Sequence, residues 1–151
     1  MSNHATVTKY IIDLFDSDNL VNTVAYGSLD DKYLGKNDVY PLVHITPTEA
    51  SYEDNSFVKY TYEIAVVDIR YFGNNFSNKD EIFKDNLIDN LNTTDHIIRN
   101  FITTVRSGNT SDEIYLEMIS TLSPVLFQDV HLLDGWFFTV EFVVPNDYSV
   151  C

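Results

Sequence analysis

Val7, Tyr10, Ile11, Leu14 and Phe15 recur at i, i+3, i+4, i+7 and i+8, the spacing that lines apolar side chains along one face of a helix. The spacing predicts a short amphipathic helix over residues 5–17, stopped by the polar run Asp16-Ser17-Asp18-Asn19. Asn22 to Ser28 reads as a short strand, and Leu29 to Asp38 as a loop with two Gly/Asn turn signals. Val39 to Thr46 reads as a second strand that ends at Thr46-Pro47-Thr48, with Pro41 suited to an edge or a strand start. The longest alternating run extends from Phe57 to Phe72. Val58, Tyr60, Tyr62, Ile64 and Val66 occupy one side, with Lys59, Thr61 and Glu63 on the other. The phase then flips, because Val67, Ile69 and Tyr71 become the apolar set. A one-residue change of phase predicts a bulge, or a switch from core to intersubunit contact, between Ile64 and Ile69.

Gly73 to Asn78 reads as a turn, and Ser77 with Asp80 resembles a capping box. Phe83, Leu87, Leu91, Thr94, Ile98, Phe101, Ile102 and Val105 then recur every three or four residues, which predicts a long helix ending at Arg106 and Gly108. Asn92-Thr93-Thr94-Asp95 is a place where that helix could break. Strands are expected at Ile114 to Thr121 and Val125 to Leu132, followed by a hairpin turn at Leu133-Asp134-Gly135. In the last strand Trp136, Phe138, Val140, Phe142 and Val144 alternate with Phe137, Thr139, Glu141 and Val143, up to Pro145. A tail from Asn146 to Cys151 is expected to pack against the domain. The order helix, strands, long helix, strands predicts an α+β domain, an antiparallel β-sheet with a long and a short α-helix packed on one face.

The chain has 151 residues, a single-domain length, and 44% apolar and 14% aromatic residues, too many for a disordered acidic tail. No apolar run reaches the ~20 residues of a membrane-spanning helix, and Met1 to Lys9 lacks the form of a signal peptide. A soluble domain made inside the cell is the expectation. Nine cations against 23 acids leave a net charge of −14, and the cations are scattered with no basic stripe. That argues against a protein that grips phosphates or an anionic membrane. It suits either simple solubility or a wall that DNA passes without sticking.

The search for chemistry returns little. His4, His44, His96 and His131 show no ligand spacing, and the single cysteine is Cys151. Asp129 and His131 share a strand face and could share a metal, although a surface pair is the plainer reading. Asp16-Ser17-Asp18 has no glycine or later glutamate to complete a calcium loop. Neither a nucleophile elbow nor a phosphate-cradling glycine loop is present. Glu63 and Glu141 read as solvated sheet positions rather than a catalytic dyad. No cofactor, metal or small-molecule ligand is expected. What remains is surface for contact. Tyr33, Tyr40, Tyr52, Phe57, Phe72, Phe76 and Tyr148 lie in or beside predicted loops, and Phe137 and Val143 give the last strand a second apolar face. Aromatics of this kind are enriched at protein interfaces. Tyr33, Tyr52, Phe57, Phe72, Phe76, Phe137 and Tyr148 are therefore the candidate oligomer or partner interface.

Five segments carry a family resemblance: "TVTKYIIDLFDSDNLVNTVAYGSL", "DVYPLVHITP", "YTYEIAVVDI", "NLIDNLNTTDHIIRNFI" and "DGWFFTVEFVVPNDYSVC". In their order the chain resembles the small tail-terminator or tail-completion proteins at the head–tail junction of tailed bacteriophages, of the crAss-like type. Residues 107–124 show no matching pattern. The resemblance carries no active site across. It implies a virion structural protein, assembled in the host bacterial cytoplasm, whose copies form a six- or twelve-fold ring between tail-tube and neck or connector rings. Genomic DNA would pass through that ring without specific binding. On that implication Asp30, Asp31, Asp38, Glu49, Glu53 and Asp54 are candidate channel-lining acids. Other tail, baseplate or head-completion components are the alternative, and a small carboxylate- or metal-dependent enzyme is the alternative from a different class.

Overall fold

The computed structural model describes residues 3–27, 39–52, 54–70, 86–108, 113–128 and 133–146. Helix α1 (His4–Asp16) opens at Asn3, whose side-chain oxygen accepts the Thr6 N–H at 3.0 Å and so satisfies one of the free donors of the first turn. Its apolar stripe becomes a buried row of Val7, Ile11 and Phe15. Helix α2 (Leu87–Arg106) runs without a break through Asn92-Thr93-Thr94-Asp95. Thr94 is compatible with the helix because its hydroxyl donates to the Asn90 carbonyl at 2.7 Å, one turn back. Phe15 and Phe101 stack at 4.4 Å between ring centres and lock the two helices together. The predicted turn at 73–78, the Ser77/Asp80 pair and Phe83 lie outside the described residues.

Six strands form one sheet: β1 (Thr23–Tyr26), β2 (Leu42–Tyr52), β3 (Phe57–Ile69), β4 (Tyr115–Ile119), β5 (Ser123–Gln128) and β6 (Leu133–Pro145). The order is β1-β2-β3-β6-β4, with β5 also on β6. β4 and β5 pair with successive stretches of β6, so they form one long, interrupted edge. β1 runs parallel to β2, which corrects the purely antiparallel expectation to a mixed sheet in an α+β fold. Both helices join one core cluster. They meet Val43 and Ile45 of β2, Val58, Tyr62, Ile64 and Val66 of β3, and Phe138, Val140, Phe142 and Val144 of β6.

The second strand extends well past Thr46. Pro47 lacks an N–H for the ladder, and the register slips by one between Pro47 and Glu49. Thr48 absorbs the extra position, with its hydroxyl donating to the Thr61 carbonyl at 3.1 Å. The slip changes which alternate residues face the helices, so Glu49 stands opposite Thr61 on the helix-free face. β3 itself has no bulge, and its pairing with β6 is one-to-one from Phe57 to Ile69. The phase flip has another cause. Leu42, Val67 and Leu133 form a second small core with Tyr40, Ile69 and Val125, on the face away from the helices.

Asp134 and Gly135 are not a turn. They belong to β6, and the β5–β6 connection at 129–132 lies outside the described residues. A Cβ at Gly135 would overlap the backbone carbonyl of Val66, so β3 and β6 approach there only because the side chain is absent. Asp134 is fully buried and takes both arms of Arg70, at 2.6 Å and 2.8 Å. The Asn90 amide donates to Asp134 at 3.4 Å and to the Ile69 carbonyl at 3.0 Å, and Asn86 also reaches Ile69, at 3.1 Å. These bonds fasten the start of α2 to the end of the sheet. Burial pushes the Asp68 carboxyl above its ordinary value, and the neighbouring Asp134 charge adds to the shift against the Ile69 N–H, which opposes it.

Asp134→Ala leaves a guanidinium charge in a nearly dry site and is expected to cost about 3–5 kcal/mol in urea unfolding. Gly135→Ala is expected to cost roughly 1–3 kcal/mol or more from backbone overlap. For Asp68 the sign follows from a folded-state value raised above the unfolded one. Its ionised form is disfavoured in the fold, so the cost sets in as pH rises from the ordinary value of 3.8 through the raised one. Asp68→Asn, which keeps the acceptor for Ile69, should melt above the parent at pH 7 and lose that advantage at pH 3.

Candidate functional site

The alternation of β3 and β6 sends every second side chain away from the helices. On that helix-free face Lys59 stands beside Val143, Thr61 beside Glu141, Glu63 beside Thr139 and Ala65 beside Phe137. Phe57 begins the row, and Tyr115 and Met118 of β4 extend it opposite Val143 and Glu141. Tyr115 is 58% exposed, Phe57 46%, Met118 39% and Phe137 37%. These apolar positions are surrounded by carboxylates: Glu49, Glu63 and Glu141 on the face, Glu117 at its edge and Asp54 at its end. Lys59 reaches Glu141 at 3.9 Å with both side chains mostly shielded. The face is therefore acidic and aromatic, and chemically suited to contact.

The β2–β3 hairpin shapes one end of it. Asp54 accepts the N–H groups of Ser56 at 2.6 Å and Phe57 at 3.2 Å, so its side chain ties the turn. Tyr52, 72% exposed, pairs with Val58 and belongs to the helix-side alternation, whereas Phe57 lies on the other side. Of the predicted interface residues, Tyr52, Phe57 and Phe137 are thus all exposed, but they do not form one patch. Phe57 and Phe137 share a face and are paired with β-positions eight residues apart along the ladder, roughly 26 Å at strand rise. Tyr33, Phe72, Phe76 and Tyr148 lie outside the described residues. Among the predicted channel acids, Glu49 and Asp54 are exposed near the hairpin end, and Asp30, Asp31, Asp38 and Glu53 lie outside the described residues.

Sequence reading missed Tyr115, Glu117 and Met118. The strand itself is expected at Ile114 to Thr121, but its register slips between Leu116 and Met118, which hides that Tyr115 and Met118 share a face. A shallow recess lies between α1 and β1, lined by His4, Ala5, Thr8, Lys9, Ile12 and Tyr26. His4 stacks on Tyr62 at 5.7 Å, and the Tyr62 hydroxyl, pushed up to about 12 by burial, shares a hydrogen bond with Thr8 at 3.0 Å. His44 is buried in β2 and His96 is exposed on α2. Among the described residues no three His, Cys, Asp or Glu side chains come together to hold a metal. Asp129 and His131 lie outside them. No described helix is long and apolar enough to cross a membrane.

No protein-family model matches the chain. No curated protein matches it at a significant level.

Thr8→Val removes the hydroxyl that Tyr62 meets inside the fold. The expected loss is about 1 kcal/mol, read in urea unfolding with the circular dichroism spectrum of the folded protein unchanged.

Proposed function

We propose that this chain is a virion structural protein whose copies assemble into a ring at the head–tail junction of a tailed bacteriophage, as a tail terminator or neck ring. The observation that carries the reading is the helix-free sheet face. It presents Phe57, Tyr115, Met118 and Phe137 to the outside and carries no described helix. Exposed aromatics on a rigid sheet are suited to burial against another protein. The resemblance of five segments, in order along nearly the whole chain, supplies the location in the particle.

In this reading the ring has six or twelve copies and sits between tail-tube and neck or connector rings. Phe137 is buried between copies. Glu49 and Asp54, near the hairpin end, are turned to the channel along with the candidate acids of the loops. Like charge on the wall repels phosphate, so the genome slides without a binding site. The chain performs no bond-making of its own.

Native mass spectrometry, with two-dimensional class averages from electron microscopy, tests the reading. A closed oligomer of six or twelve copies is expected, alone or on mixing with tail-tube or neck proteins. Monomer under every one of those conditions overturns it. Phe137→Glu is expected to shift the population to monomer with unchanged secondary structure, since the side chain is partly exposed in the single copy.

A further inference from the structure

β4 is a sheet edge with a recess on each side. Among the described residues it pairs with β6 alone. The direction of its backbone follows from its continuation at Ser120. The Ser120 N–H donates to the Thr139 carbonyl at 2.9 Å, and the Thr139 N–H donates to Ser120 Oγ at 2.8 Å. Thr139 therefore turns its backbone towards the β4 side, and so do the alternate residues Glu141 and Val143. Their partners Met118 and Tyr115 face inward along the ladder, and Leu116 turns its N–H and carbonyl outward. Those outward groups are a template for one more strand.

The two recesses flank this edge. One, about 530 Å³, lies on the helix-free face between Asp54, Phe57, Lys59, Tyr115, Glu117 and Val143. The other, about 470 Å³, lies between β4 and the end of α2 and is lined by Val105, Ile114, Leu116 and Ile119, with Arg106 at its margin. Tyr115 and Glu117 border both. An added strand sends alternate side chains to opposite faces, so one set would enter each recess. The two differ in chemistry. The helix-side recess combines aliphatic Val105, Ile114, Leu116 and Ile119 with the charges of Arg106 and Glu117. The other combines aromatic rings with the carboxylates of Asp54 and Glu117, while the ammonium of Lys59 is already engaged by Glu141.

We infer that β4 is the docking edge for an extended, cationic segment of another protein, added to the sheet as a further strand. Its Lys or Arg side chains lie over Phe57 and Tyr115, between Asp54 and Glu117, where both the ring faces and the carboxylates attract a cation. Its aliphatic side chains fill the recess beside α2. Charge complementarity selects this occupant over a second copy at this edge, since pairing β4 with β4 of a second copy would bring the same Asp54 and Glu117 carboxylates together. The inference does not rest on the ring reading: it uses Phe57 and Tyr115 of a single copy and leaves Phe137 to the contact between copies.

The test uses the full chain, isotopically labelled, and a seven-residue peptide of alternating Lys and Val. One control has the lysines replaced by Glu, and a second has alternate backbone nitrogens methylated on the pairing edge. Saturable binding is expected, with amide shifts at Tyr115 to Ile119 and around Asp54 to Lys59. The methylated peptide and the Glu117→Lys variant should each bind roughly tenfold or more weakly, and the glutamate peptide should not bind. Glu117→Lys should melt like the parent because the position is exposed. Equal binding of the methylated peptide would reduce the effect to charge adsorption and overturn strand addition. Shifts elsewhere, or no saturable binding, also overturn it. Concentration-dependent shifts at Tyr115 to Ile119 without peptide would assign the edge to a second copy and overturn the cationic partner. Failure of the ring reading is seen separately, in the mass of the assembly.

Discussion

The unbroken ladder between β3 and β6 is the constraint on which the rest of the molecule depends. It joins Phe57–Ile69 to Leu133–Pro145 residue for residue, and a one-residue slip would exchange every inward and outward side chain. With the register fixed, Val58, Tyr62, Ile64 and Val66 meet Phe138, Val140, Phe142 and Val144 under the helices. The intervening residues are committed to the opposite face at the same time. A core and a contact surface thus come from one pairing. Gly135 is part of the same constraint, since any side chain there would part the two strands beside Val66.

The far end of the ladder is held by charge on its helix side and by the small apolar core of Leu42, Val67 and Leu133 on the other. Arg70 and Asp134 form a two-armed pair with the aspartate wholly buried, and Asn86 and Asn90 tie the first turns of α2 to the same place. Two carboxylates, Asp68 and Asp134, stand opposite each other in the ladder. Such a pair is costly, and Arg70 offsets it at Asp134, while burial and the Asp134 charge raise Asp68. The exposed pairs Lys9–Asp13 and Arg99–Asp95 lie on helix surfaces, where water and salt screen them. The position of α2 therefore depends on the buried cluster and on Ile97, Ile98, Phe101 and Val105, not on surface ion pairs.

Much of the fold is legible from the chain. The stripes of α1 and α2 and the alternation of β3 and β6 are long, regular and driven by burial, so periodicity finds them. What escapes depends on long-range neighbours. Pro47 reads as a strand end, yet a bulge carries the ladder past it. Asp134-Gly135 reads as a turn, yet the carboxylate is required by Arg70 and the glycine by the Val66 backbone, both distant in sequence. The flip at Val67 reads as a bulge or a switch to intersubunit contact; β3 has no bulge there, and a second small core to which Leu42 and Leu133 contribute lies at that point. The parallel pairing of β1 with β2 has no local sequence mark. Of the contact surface, Phe57 and Phe137 follow from alternation, whereas Tyr115 and Met118 are hidden by the slip at Glu117.

Acidic charge and exposed rings on one rigid face fit a surface whose work is contact. A photo-reactive benzoylphenylalanine in place of Phe137 interrogates that face directly, with the covalent products identified by peptide mass spectrometry. Use of the face in assembly predicts cross-links from position 137 into a neighbouring copy or an adjacent ring protein. Cross-links confined to the same chain, with neighbouring proteins captured only by an equivalent probe at His96 on the helical side, would contradict it.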